Sequence, residues 1–421
     1  MRDRDKIIQM ARDTRAYTFT FLRWLLLGGI VGGVGGVIGA VFSKAVEIVT
    51  EVRGANSWLL YLLPLGGLAI VGIYKLCRVS GVGTNEVFRG VRKESGVSVF
   101  LAPAIFLGTV ITHLLGGSAG REGAALQLGG SVATLFGKVF KLKEMDRHIL
   151  TMCGMSAVFA AVFGTPMGAC IFAVEVVFVG RMLSAALFPC MVSSVTAYGV
   201  AKLMGAHAEH FEVGVIPAFT PDTRWKVLAV SVCGAVVSML FCWVMHTGSH
   251  LFARYFKNEF LRVAVGGVLL IALTLLLGTN DYNGGGMHVI ERVFHEGVVR
   301  PEAFLLKMLF TSITIGAGYK GGEIVPTLFI GATMGGTVAL LIGMDPAFGA
   351  AVGIAALFSG VTNCPITTIL LSIELFGGEG AVFYLIAAIV SFLLSGYFSL
   401  YSGQRMVFSK LREEEVHRRG H

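Results

Sequence analysis

Long apolar runs separated by short polar breaks dominate this chain. They fall at about 19–50, 57–77, 99–119, 125–140, 149–179, 182–205, 225–247, 259–278, 303–317, 324–358, 364–376 and 381–401. Runs of this length are those of helices and do not alternate with the period of barrel strands. One simple membrane crossing needs about 20 apolar residues, and many of these runs are longer or shorter than that. Glycine clusters cut several of them, at Gly116-Gly117, Gly284-Gly285-Gly286 and Gly321-Gly322. Irregular backbone at membrane depth is tolerated only where it is buried in protein or lines a cavity. The pattern therefore predicts spanning helices mixed with broken and re-entrant ones. The most polar interior segment, 206–224, carries His207, Glu209, His210, Glu212 and Asp222 and predicts a loop between two halves.

The halves resemble each other. Gly120-Arg121-Glu122-Gly123, Phe163-Gly164-Thr165-Pro166 and Glu175 in the first are followed by Gly321-Gly322-Glu323-Ile324, Thr362-Asn363-Cys364-Pro365 and Glu374 in the second. Each feature recurs about 200 residues on. Interrupted helices at matching places in two membrane halves mark an internally duplicated transporter with its binding site near midplane. The expected organisation is an amphipathic surface helix over 1–17, membrane repeats over 18–205 and 225–402, the loop 206–224, and a tail over 403–421.

Composition narrows the class. Only 14% of residues are charged and 55% are apolar, with a mean hydropathy of +0.75. A soluble domain carries about 25% charged residues, so a cytosolic enzyme and a disordered chain are both excluded. The net charge is +8, from 34 Lys+Arg against 26 Asp+Glu. A helical membrane protein explains this excess without nucleic acid, because basic residues collect on the cytoplasmic side. Arg2, Arg4, Lys6, Arg12 and Arg15 at the start, and Lys410, Arg412, Arg418 and Arg419 at the end, place both termini in the cytoplasm. The segment Met1–Tyr17 is too charged for a cleavable signal. Seven single cysteines without a C-x-x-C pair read as small buried hydrophobes.

The candidate chemistry lies at the two glycine-flanked glutamates. A helix N-terminus has unpaired N–H groups and the positive end of the helix dipole, so it holds an anion without a full positive charge. A carboxylate in its first turn is an internal anion that competes with a free one and that leaves on protonation. Acidic residues at membrane depth are functional candidates by default. Glu122 is read as functional. For Glu323 that reading stands beside a capping role. Glu175 and Glu374 end their helices and are read as structural pairing groups. The role of Arg121, which either reaches for solvent or pairs with a carboxylate, stays open.

These motifs resemble those of the CLC family of anion channels and anion/proton antiporters, over about residues 20–405. The family's G-S-G-I-P corresponds to Gly81-Val82-Gly83-Thr84-Asn85, its G-[K/R]-E-G-P to Gly120-Arg121-Glu122-Gly123-Ala124, and its G-x-F-x-P to Gly322-Glu323-Ile324-Val325-Pro326. The resemblance implies an all-α membrane protein of two inverted-topology repeats, a homodimer with one anion pathway per subunit, and Glu122 as external gate. Four departures stand out. Val82 replaces the serine that donates to the central anion in chloride-handling members. Ala124 replaces the proline and Ile324 the phenylalanine. The inner proton-transfer glutamate would align at Val176. This combination is similar to the bacterial fluoride-exporting branch, which exchanges fluoride for protons, and implies a multi-pass protein of the bacterial inner membrane. The pore tyrosine matches Tyr401, with Tyr397 the competing choice.

On this reading the partners are fluoride or chloride, protons, lipid and a second copy of the chain. The anion site comprises Gly81, Val82, Gly83, Arg121, Gly123, Glu323, Ile324, Val325 and Tyr401. Glu122 carries the gate and the proton, and Glu323 is the one evident acidic substitute for the inner proton route. No cofactor, metal or nucleic acid is expected. A chloride/proton antiporter and a passive chloride channel remain as alternatives. A membrane enzyme or receptor lacks any nucleophile–base pair. His207 and His210 read as surface loop residues, and His246 and His250 as interfacial or core ones. The run Gly28-Gly-Ile-Val-Gly-Gly-Val-Gly-Gly lacks the ending of a nucleotide loop and reads as close helix packing.

Overall fold

The computed structural model describes residues 2–92, 96–412 and 414–419. The described chain holds sixteen α-helices. The first eight are α1 (Arg2–Ala55), α2 (Leu63–Leu76), α3 (Thr84–Gly90), α4 (Leu101–Leu114), α5 (Glu122–Val139), α6 (Glu144–Phe163), α7 (Pro166–Glu175) and α8 (Leu187–Leu203). The second eight are α9 (Pro221–Tyr255), α10 (Glu259–Leu277), α11 (Met287–Glu296), α12 (Ala303–Ala317), α13 (Ile324–Leu341), α14 (Pro346–Thr362), α15 (Pro365–Phe376) and α16 (Ala381–Leu394). Six segments are long and apolar enough to cross a membrane, while apolar helices such as α4, α7 and α15 are shorter.

The two octets pack alike. The pairings α1 with α8, α4 with α5, α5 with α6, α6 with α7 and α7 with α8 recur as α9 with α16, α12 with α13, α13 with α14, α14 with α15 and α15 with α16. The breaks recur as well. Gly164 ends α6 at φ +78 and Pro166 opens α7, while Asn363 ends α14 at φ +58 and Pro365 opens α15. A left-handed residue stops a helix and proline starts the next one, and asparagine is among the few residues besides glycine that visit this conformation.

The direction of the halves follows from α7 and α15. The Glu374 carboxylate at the end of α15 accepts N–H bonds from Met167 and Gly168 at the start of α7, both at 2.8 Å. Glu175 at the end of α7 accepts from the Thr367 amide and hydroxyl at the start of α15, at 2.8 and 2.6 Å. Each helix therefore caps the other and the pair is antiparallel, so equivalent helices of the two halves run in opposite directions. Both carboxylates do the structural pairing expected of them.

Close packing also governs the glycine-rich run of α1. A Cβ on Gly32 would lie 2.6 Å from the Ser193 carbonyl, and one on Gly36 2.7 Å from the Ala197 carbonyl, both on α8.

Several boundaries differ from expectation. The helix at the start runs unbroken from Arg2 through residue 17, and the side chains of residues 2–13 lie outside the described ones. The apolar runs 149–179 and 324–358 each contain two helices, and the short α3 and α11 had no apolar run to announce them. A small three-stranded sheet adds to the helical fold. In it β1 (Phe178–Val179) pairs in parallel with β2 (Arg405–Phe408), which pairs antiparallel with β3 (Glu415–Arg419).

Candidate functional site

The starts of α5 and α13 meet at the centre of the molecule. Gly120 and Gly322 form an isolated antiparallel bridge, each N–H donating to the other's carbonyl at 2.7 Å. A Cβ on Gly123 would stand 2.7 Å from the Gly322 Cα, so glycine is what allows the two backbones to touch. The first helical bonds are Ala125 N–H to the Arg121 carbonyl in α5 and Thr327 N–H to the Glu323 carbonyl in α13. The amides of Glu122, Gly123 and Ala124, and those of Ile324 and Val325, precede these ladders and form two facing sets of helix-end donors.

Glu122 is fully buried. Its Oε2 accepts the Arg121 N–H at 3.1 Å, and its Oε1 lies 3.4 Å from Arg121 Nε. Glu323 sits just before α13, and a Cβ on Gly123 would lie 3.3 Å from its Oε2. Glu122 Oε1, Glu323 Oε2 and the Tyr401 hydroxyl are buried without a hydrogen-bond partner among the described residues.

The third part of the centre comes from α3 and the turn carrying Tyr401. Gly81 adopts φ +75, and nothing lies within 4 Å of a Cβ placed on Gly81 or Gly83, so this loop borders open space. Val82 is half-buried against the core, and its N–H is taken by the Val79 carbonyl at 3.1 Å. Phe88 of α3 meets the Tyr401 ring edge-on, with centroids 5.0 Å apart. The Gly403 N–H donates to Asn85 Oδ1 at 2.7 Å, which ties the tyrosine turn to α3. Of the two tyrosines, Tyr401 is enclosed, whereas the Tyr397 hydroxyl bonds Ser409 at 3.3 Å. Val176 is buried, and its carbonyl accepts from Gln404 Nε2 at 3.0 Å.

A cleft of about 410 Å³ opens beside Glu122. Its wall includes Arg53, His113, Gly120, Arg121, His207, Glu209, Gly285 and Val325. Two cations that sequence reasoning had not singled out lie at the glycine run under it. Arg53 Nη1 donates to the His113 carbonyl at 2.9 Å, and its guanidinium approaches Gly284. Lys307 is fully buried on α12, and its Nζ donates to the Tyr282 and Gly284 carbonyls at 3.1 and 2.7 Å. Neither makes an ion pair with a carboxylate among the described residues. Glu209 was also missed as a site residue. Its Oε1 accepts from Arg121 Nη2 at 2.6 Å, which shows Arg121 paired with carboxylates. His246 hydrogen-bonds the Ser399 carbonyl in the core at 2.8 Å.

Antiparallel halves that bring broken-helix N-termini together at the centre define a duplicated membrane transporter. The chain belongs to the CLC family: the family model described as voltage gated chloride channel matches residues 66–396. It is 36% identical to a chloride/fluoride channel protein of Pseudomonas syringae pv. tomato, over 92% of this chain and 87% of that protein. It is 29% identical to an H(+)/Cl(-) exchange transporter of Vibrio vulnificus, over 83% of this chain and 81% of that protein. The solved structure of a CLC-type fluoride/proton antiporter is similar at a TM-score of 0.88 and 30% identity, covering 91% of this chain and 98% of that one. A slow cyanobacterial Cl-/H+ antiporter matches in fold, with a TM-score of 0.76 at 21% identity, over 89% of this chain and 94% of that one.

Proposed function

We propose that this protein exports fluoride in exchange for protons, with Glu122 as the proton-carrying external gate. The observation that carries the reading is the fully buried Glu122 at the start of α5, linked by the Gly120–Gly322 bridge to the donor-rich start of α13. An ionised Glu122 occupies the place an anion would take. Protonation releases it, and fluoride is then held by the amides of Gly83, Gly123, Ile324 and Val325 with the Tyr401 hydroxyl. Gly81 and Val82 close the inner side, and Val82 offers no hydroxyl to a larger halide. Glu323 takes the inner proton transfer, because the side chain at position 176 is an apolar valine. The relatives described as a chloride/fluoride channel protein and as a fluoride/proton antiporter support fluoride as the cargo.

The protein works on this reading as a homodimer of two-repeat subunits, spanning 18–205 and 225–402, in the bacterial inner membrane with both termini cytoplasmic. In liposomes loaded with fluoride or chloride and followed by ion electrodes, fluoride efflux is expected to exceed chloride efflux, and a pH gradient alone is expected to drive fluoride uphill. Chloride efflux equal to or faster than fluoride efflux would replace this reading with the chloride/proton exchange of the Vibrio relatives. Fluoride flux that does not respond to the pH gradient would make the protein a channel.

A further inference from the structure

Arg121 stands between two carboxylates. Its Nη2 is 2.6 Å from Glu209 Oε1 and its Nε 3.4 Å from Glu122 Oε1. Glu209 belongs to the segment joining the halves, and that segment is pinned over the gate. Ala208 packs directly on Gly164, where φ is +78 and a side chain would be strained. The Glu209 N–H approaches the Phe163 carbonyl at 3.4 Å, and the Phe211 N–H donates to the Leu375 carbonyl at 2.9 Å. The Phe211 ring stacks on Phe294 with centroids 5.0 Å apart. Glu209 is thus held by neighbours from both halves rather than swinging on a loose loop.

We propose that Glu209 is a positioning residue for the gate, acting through Arg121. The guanidinium is shared, so its pull on Glu122 is divided. When Glu122 leaves, Arg121 stays neutralised by Glu209 and does not become an anion trap at the outer mouth. This role rests on Glu122 being the gate. Without Glu209, Arg121 has one carboxylate left to pair with, and it holds Glu122 in place.

The test is a double-mutant cycle in liposomes, reading the maximal rate of whichever halide the wild-type protein moves. Glu209→Gln is expected to slow turnover about tenfold, the scale of one lost shared charge pair at partly screened distance. Glu209→Asp is expected to restore most of the rate, because the charge returns. In an Arg121→Gln background, Glu209→Gln is expected to change nothing further, since the residue acts only through Arg121. An equal slowing by Glu209→Gln with and without Arg121 would mean loss of linker packing and would overturn the proposal, as would wild-type turnover in Glu209→Gln. A wrong cargo assignment leaves the cycle readable, because it uses the halide actually moved. A wrong gate assignment shows itself separately, as retained proton coupling in Glu122→Gln.

Discussion

Glu122 is where residue chemistry carries the most consequence. Its carboxylate is buried, backed by one N–H bond and one guanidinium, and one of its oxygens has no hydrogen-bond partner among the described residues. Glutamine keeps the size and the acceptor but cannot take up a proton. Glu122→Gln is therefore expected to pass fluoride with proton flux reduced about 100-fold, the scale of losing a positioned proton-transfer group. The measurement is proton uptake during fluoride efflux, and coupling at the wild-type ratio would defeat the gate assignment. Val82 calls for a different test. Its own amide is spent on Val79, so only its side chain can act on a passing anion. Val82→Ser is expected to raise chloride relative to fluoride flux several-fold, and an unchanged ratio would remove this position from selectivity. The places of Glu122 and Glu323 at helix starts were legible from their motifs, because glycines at fixed spacing reveal where helices begin, whereas the choice of Tyr401 came from the family resemblance. Glu209, Arg53 and Lys307 were not, because they reach the cleft from segments remote in the chain and carry no local pattern.

The helix pair α7 and α15 shows how elements of the two halves hold each other. The first N–H groups of any helix lack partners within it, and each of these two lends its last-turn glutamate to the other's first turn. Bonds from N–H groups to a charged acceptor contribute about 1.5–3 kcal/mol each. Glu374→Gln keeps one acceptor and loses the charge, so a loss of about 1–3 kcal/mol is expected. It should appear as a lower unfolding temperature in detergent, with the fluoride-to-chloride flux ratio unchanged. An altered ratio at wild-type thermal stability would make Glu374 a transport residue instead. The nine-residue spacing from Pro to Glu was visible in both halves of the sequence, and so was its structural meaning. The partner was not, since mutual capping depends on the halves being antiparallel. The breaks inside the runs 149–179 and 324–358 were blurred for a related reason. Each break is short, Gly164-Thr165 before Pro166 and Ile342–Asp345 before Pro346, and a single polar residue in each, Thr165 or Asp345, interrupts otherwise apolar sequence.

At the scale of the whole molecule the two faces differ in charge. Arg23 pairs with Asp146 at 2.6 Å, and Arg92 donates to the Gly403 carbonyl at 2.7 Å. Phe178 and Arg405 are register partners. These contacts put the described start of α1, the start of α6, the end of α7 and the tail on one face, together with Arg92, Arg181 and Arg405. The opposite face carries the linker and the cleft, where Glu47, Glu51, Glu122, Glu209 and Glu291 outnumber Arg53 and Arg121. Lys and Arg are retained on the cytoplasmic side of membrane proteins, and on the proposed reading the basic face is the inner one and the cleft leading to Glu122 opens outward. On that reading protons enter from the cleft and fluoride leaves through it. A single cysteine in place of Ser57, just after α1, in a variant whose native cysteines are replaced, is expected to react with a membrane-impermeant maleimide added to intact cells. One in place of Ser409, in the tail, is expected to react only after the membrane is opened. The reverse labelling would turn the molecule over, place Glu122 toward the cytoplasm and make it an inner gate.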